Sequence, residues 1–98
     1  MHCSIVVLYN PNFYEISNFL NQLIKSQFFL ILVDNSEKSL IKEFDVYLKD
    51  NRVLYLNLKK NKGLAFAQNI GIKEAISRNF KTLTLFDQDS FITSTNYR

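Results

Sequence analysis

Four apolar runs, each cut off by a polar cluster, divide the chain into repeating units. Ser4-Ile5-Val6-Val7-Leu8-Tyr9 is continuous and rich in β-branched residues, and Asn10-Pro11-Asn12 stops it. Proline supplies no ladder donor and disfavours helical geometry in the residue before it. Phe28-Phe29-Leu30-Ile31-Leu32-Val33 is a second such run and ends at Asp34-Asn35-Ser36, whose side chains favour turns and helix caps. Arg52-Val53-Leu54-Tyr55-Leu56-Asn57 reads as a third strand followed by a polar loop from Leu58 to Lys62, and Lys81 to Phe86 reads as a fourth.

Between these runs the apolar spacing changes from continuous to helical. Phe13, Ile16, Phe19, Leu20, Leu23 and Ile24 recur three and four apart, which predicts an amphipathic helix from Phe13 to Ser26 with Asn12 as its N-cap. Leu40, Ile41, Phe44, Tyr47 and Leu48 predict a second, less regular helix ending near Lys49. Gly63 opens a third from Leu64 to Ser77, whose alanines and Gly71 permit close approach to a sheet, and Asn79 ends it.

Strands that are apolar at nearly every position are buried on both faces, and their alternation with helices describes βαβ units. The expected fold class is α/β: a three-layer α/β/α arrangement with a parallel sheet, β-α-β-α-β-α-β, over a single domain of residues 1–98. Right-handed crossovers give the strand order 3-2-1-4, with a reversal between strands 1 and 4. In such sheets ligands bind beyond the carboxyl ends of the strands at the reversal. Those ends carry Asn10 and Asn12, Asp34 and Asn35, Asn57 to Gly63, and Asp87 and Asp89.

The last pair changes the picture most. In Phe86-Asp87-Gln88-Asp89-Ser90, strand alternation sends both carboxylates to one side, a hard-oxygen arrangement suited to Mg²⁺ or Mn²⁺. The competing reading is a pair of solvated turn residues. The loops exclude the commonest occupants of such sheets: strand 1 is followed by no G-x-G-x-x-G, no P-loop is present, and no paired acids follow strand 1 as a phosphorylated receiver requires. What remains is a nucleotide whose phosphates are neutralised by metal rather than by a glycine loop.

Composition narrows the classes further. The 98 residues are 47% hydrophobic, enough for one domain that buries roughly 65% of its unfolded surface. No apolar run reaches the ~20 residues of a membrane span, and no signal peptide opens the chain, so a soluble, cytoplasmic protein is expected. Cys3 alone forms no internal disulfide, and with His2 it has no metal-ligand spacing; it reads as a buried strand residue. A net charge of +3 is too small to suggest a nucleic-acid partner, and Lys59, Lys60 and Lys62 read either as a phosphate-attracting cluster or as a solvated loop.

Four segments in order resemble the N-terminal half of a family 2 glycosyltransferase of the GT-A fold: Ile5 to Pro11; Leu32-Val33-Asp34-Asn35-Ser36; Asn61 to Ile72; and Leu85-Phe86-Asp87-Gln88-Asp89-Ser90. The forms Ala67-Gln68-Asn69-Ile70-Gly71 and Phe86-Asp87-Gln88-Asp89-Ser90 are most similar to the bacterial rhamnosyltransferase branch, which uses dTDP-L-rhamnose to build surface polysaccharide. The resemblance covers residues 4–90.

The resemblance implies a nucleotide-binding set of Tyr9, Asn10, Asp34, Asn61, Gly63, Gln68 and Asp87, and a metal set of Asp89 with Asp87. Asp34 would accept from the N3–H of uracil or thymine. Asn61, Gly63 and Gln68 would line the pocket; many relatives carry arginine where Gln68 stands. Asp87 would face the ribose or diphosphate, and Asp89 would hold the Mn²⁺ or Mg²⁺ that bridges the phosphates. The implied partners are a nucleotide-diphosphate sugar, dTDP-rhamnose or a UDP-sugar, and a glycan or lipid-linked acceptor at the inner face of the bacterial membrane. Family 2 members invert at the anomeric carbon.

Ordinary structural roles compete at each position: Asp34 as N-cap of the second helix, Gln68 as a polar helix position, Asn61 and Gly63 as loop residues, Tyr9 and Tyr14 as packing residues rather than base-stacking ones. The general base is assignable to none of the nine acids, and the acceptor domain of a GT-A enzyme is expected beyond these residues. An excised part of a longer protein, a truncated product and a naturally short module are all compatible with that expectation. The chain is expected to bind a nucleotide and to lack transferase activity alone. The contrasting expectation is a non-catalytic nucleotide-binding or interaction domain, in which strand 4 offers a free edge for pairing with another chain.

Overall fold

The computed structural model describes residues 2–26 and 28–87, the side chain of Asp87 excepted. The elements run β1 (His2–Leu8), α1 (Phe13–Lys25), β2 (Phe29–Asp34), α2 (Asp45–Leu48), β3 (Val53–Asn57), α3 (Leu64–Ser77) and β4 (Thr82–Asp87). All four strands pair in parallel, in the order β3-β2-β1-β4. This is the expected α/β architecture, with the reversal between β1 and β4.

Two apolar cores sandwich the sheet. On one face Val6, Leu8, Leu30, Leu32 and Phe86 meet Ile16, Phe19, Leu20 and Leu23 of α1 and Phe44 and Tyr47 of the α2 region. On the other, Cys3, Ile5, Val7, Phe29, Ile31 and Val33 meet Ala67 and Ala75 of α3. Alternation along β1 and β2 therefore feeds both layers, which is why these strands carry almost no polar residue. Cys3 is fully buried, and burial pushes its thiol up to about 11, so it packs as a small hydrophobe rather than as a reactive thiolate.

Local sequence sets the helix ends. Asn12 caps α1, its Oδ1 accepting from the backbone N–H of Tyr14 at 3.0 Å and of Glu15 at 3.3 Å. Asn79 takes a left-handed φ of 69° after α3, the Asn79 N–H donates to the Ile76 carbonyl, and the Phe80 N–H reaches back to the Ala75 carbonyl. That double return is a Schellman stop, and Phe80 and Ala75 share the core beneath it.

The second helix is shorter than the apolar stripe predicts. Only Asp45–Leu48 is α-helical, and residues 41–44 are turns. No side chain caps its start, the Leu40 N–H is bound by the Tyr55 hydroxyl, and the Asp45 N–H bonds three residues back to Lys42, so regular i−4 bonding does not propagate. The stripe still packs, with Phe44 and Tyr47 buried and Leu40 and Leu48 against them, while Ile41 faces solvent.

The turn into β3 is held by one ion pair. Asp50 Oδ1 accepts from the Arg52 backbone N–H at 2.9 Å and from Nε at 3.0 Å, and Oδ2 meets Nη2 at 2.7 Å. These bonds to Arg52 hold the Asp50 carboxyl well below its ordinary value, at about 2. A depressed carboxyl stabilises the fold above its unfolded value of 3.8 and loses that contribution as pH falls toward about 2. In acid titrations of unfolding, Asp50→Asn is accordingly expected to be the less stable protein near neutrality and to converge on the parent stability in that window.

Candidate functional site

The strand register brings the polar ends of the sheet to one level. Leu8 stands beside Asp34, Asp34 beside Asn57, and Val7 beside Asp87. The expected rim at the carboxyl ends therefore exists, and its centre is Asp34-Asn35-Ser36, three consecutive buried polar residues at the end of β2.

Each of the three fastens a different neighbour. Asp34 is fully enclosed: Oδ1 accepts from the Ser36 N–H at 2.9 Å, and Oδ2 accepts from the Tyr55 hydroxyl at 2.6 Å. The same hydroxyl accepts from the Leu40 N–H at 2.9 Å. Burial, and next the hydrogen bond to the Asp34 carboxylate, push the Tyr55 phenol up to about 12, so it stays a donor at neutral pH. Asn35 donates its backbone N–H to the Leu8 carbonyl, and its side chain holds the next loop by accepting from the Lys62 N–H and donating to the Gly63 carbonyl, both at 3.3 Å. Ser36 Oγ accepts from the Asn10 N–H at 2.6 Å, and the Ser36 carbonyl accepts from Asn57 Nδ2 at 2.9 Å. The ends of β1, β2 and β3 and the entry to α3 are thus tied through one tripeptide.

The other expected residues sit around this hub. Tyr9 and Asn10 are exposed just past β1, Asn10 with a φ of 43° that its short side chain tolerates. Asn61 Oδ1 accepts from the Gly63 N–H at 2.9 Å, closing a tight turn into α3. Gly63 has a φ of 88°, which favours glycine, and a Cβ built there would meet nothing within 4 Å. The backbone at the start of α3 therefore borders open space. Gln68 is half-buried, one turn into α3. Tyr14 projects into solvent from the first turn of α1. Asp34 does not cap α2, whose N-cap is Phe44. Asp87 closes β4 at the rim; Asp89 lies outside the described residues.

Among the described residues no three His, Cys, Asp or Glu side chains cluster as a metal site. The enclosed Asp34 carboxylate is engaged internally with Ser36 and Tyr55. Two carboxylates from the chain, completed by phosphate and water oxygens, are a set that Mg²⁺ and Mn²⁺ accept.

The family model for "Glycosyl transferase family 2" matches residues 4–96. The chain belongs to glycosyl transferase family 2. This family 2 chain is also 30% identical over 89 residues to the dTDP-rhamnosyl transferase RfbF of Shigella flexneri, an alignment that covers 91% of the chain and 29% of that protein. The chain thus spans less than a third of the length of that curated relative. No solved structure matches it. No helix among the described residues is long and apolar enough to cross a membrane.

Three contributors to this family 2 rim were not singled out by sequence reasoning. Ser36 and Asn57 were visible as strand-end polar residues without a role. Tyr55 gave the fainter signal: strand alternation places Tyr55 and Asn57 on the side of β3 that faces Asp34, opposite Leu54 and Leu56.

Proposed function

We infer that this chain is the donor-nucleotide domain of a glycosyltransferase, binding a nucleoside-diphosphate sugar along the rim with the base at the Asp34 end and the diphosphate at Asp87 and Asp89. The observation that carries the reading is the convergence of the polar ends of β1, β2 and β3 and the entry to α3 on one rim, level with the end of β4 at Asp87, through the strand register and the Asp34-Asn35-Ser36 hub. Gly63 presents bare backbone at the rim, with no atom within 4 Å of where a Cβ would stand, and the Asn61 side chain holds its turn. Tyr9, Asn10 and Gln68 border the rim. A divalent ion held by Asp89 and Asp87 would stabilise the departing diphosphate.

The transfer is an inverting displacement. An acceptor hydroxyl, losing its proton to a general base, forms a bond to the anomeric carbon as the bond to the diphosphate breaks. None of the nine acids of the chain is assigned as that base. The base, the glycan or lipid-linked acceptor site and the rest of the enzyme belong to a further domain, so the 98 residues bind donor without transferring it. The similarity to RfbF, a dTDP-rhamnosyl transferase, favours dTDP-rhamnose over a UDP-sugar as the donor; surface polysaccharide as the product and the inner face of the membrane as the place of work rest on the resemblance of the motifs alone.

Calorimetric titration of UDP and dTDP, each with Mn²⁺, Mg²⁺ or EDTA, tests this. Saturable binding that needs metal and disappears in Asp89→Asn is expected. Folded protein that binds neither nucleotide, or binds equally in EDTA, would sink the site. The alternative, a non-catalytic module that pairs through the β4 edge, is read from the same samples by light scattering, as a dimer indifferent to nucleotide.

A further inference from the structure

The base-recognition end of this rim is closed. Asp34 has no exposed surface, and its Oδ2 already accepts the Tyr55 O–H at 2.6 Å. An imide N3–H is the same kind of group as that phenol O–H: a single neutral donor seeking a carboxylate oxygen. The phenol remains protonated at neutral pH, so the seat is permanently filled in the empty protein. Tyr55 is itself only half-buried; its hydroxyl also accepts from the Leu40 N–H at 2.9 Å, at the end of an exposed segment that begins at Glu37, and its ring packs beside buried Phe44 at 5.5 Å. Displacing the hydroxyl thus disturbs this strap and the ring contact with Phe44, while the backbone pairing of β3 with β2 is kept.

We propose that the Tyr55 hydroxyl is an internal stand-in for the nucleobase donor, a gate that occupies Asp34 in the empty protein, yields to the N3–H of a uracil or thymine nucleotide and thereby sets the affinity for nucleotide. This rests on the donor-site reading above. Only a base that brings its own donor replaces the bond it breaks; cytosine, with an unprotonated N3, leaves a buried carboxylate one donor short. Asp34 discriminates because the wrong base leaves this buried polar group unpaired. The gate lowers apparent affinity, because only the open fraction binds, and removing the hydroxyl removes that penalty.

Tyr55→Phe is accordingly expected to bind UDP and dTDP about three- to tenfold more tightly than the parent with Mn²⁺, with CDP and N3-methyl-UDP remaining the weaker ligands of both proteins. A merely structural tyrosine predicts the opposite, weaker binding of every nucleotide. In the parent protein, saturating UDP should speed hydrogen exchange at the Leu40 amide, whose acceptor leaves with the phenol, and N3-methyl-UDP should not. Equal or weaker UDP binding by folded Tyr55→Phe, or an unchanged Leu40 amide, overturns the gate while the donor site stands. If neither protein binds any uridine or thymidine nucleotide, the donor-site reading fails and the gate fails with it. Should the variant not fold, the Leu40 measurement decides alone.

Discussion

Replacing Asp34 by Ala lowers the free energy of unfolding by about 3–5 kcal/mol, a large part of the margin of a domain this size. The residue is fully enclosed, and truncation strands one buried donor, the Ser36 N–H, and one part-buried donor, the Tyr55 hydroxyl. Each unsatisfied donor costs about 1–3 kcal/mol, and the space left by the carboxylate adds to that. The damage spreads, because Ser36 also receives Asn10 and Asn57 and so carries the ends of β1 and β3. Asp34→Asn keeps the shape and one acceptor, and is expected to lose less. Urea denaturation of the two variants checks this; equal and small losses would show that the hub is dispensable.

The second large effect is steric. A Cβ added to Gly71 would sit 2.5 Å from Ile5 Cγ2 and 3.3 Å from Val33 Cγ2. Ile5 and Val33 are both fully buried on the central strands, so neither methyl has somewhere to go. Gly71→Ala gains up to about 1 kcal/mol of helix propensity but forces α3 off the sheet, for a net loss of about 1–2 kcal/mol. Gly71→Val, which adds two further methyls, is expected to lose about 3 kcal/mol or more. Combining Gly71→Ala with Ile5→Ala should restore part of the loss, a non-additivity that singles out this contact. A stabilised Gly71→Ala would mean that α3 stands further from the sheet.

Much of this fold is legible from the spacing of apolar residues, because β1 and β2 are buried on both faces and α1 carries a clean stripe ended by a side-chain cap. The strand order followed from crossover handedness and was found. The α2 region shows where periodicity stops being informative: Phe44 reaches the core from a turn, Tyr47 from a one-turn helix, and Ile41 faces solvent, while the Leu40 amide is held by Tyr55, a partner fifteen residues away. No local pattern encodes that bond.

The candidate site divides in the same way. Its placement was legible, since it needs only the strand ends and the register. The closed state of Asp34 was not, because it depends on a tyrosine from β3 whose spacing from Asp34 matches no motif. Asp87 was legible as the end of β4, and Asp89 lies outside the described residues.

The central claim is that this rim holds a nucleoside diphosphate through a metal. Titration of UDP and dTDP into the parent chain, Asp87→Asn and Asp89→Asn, with Mn²⁺ and with EDTA, tests it most directly. The prediction is saturable binding by the parent in Mn²⁺ alone, lost in both variants while their folds persist; binding that survives EDTA and both substitutions would contradict it.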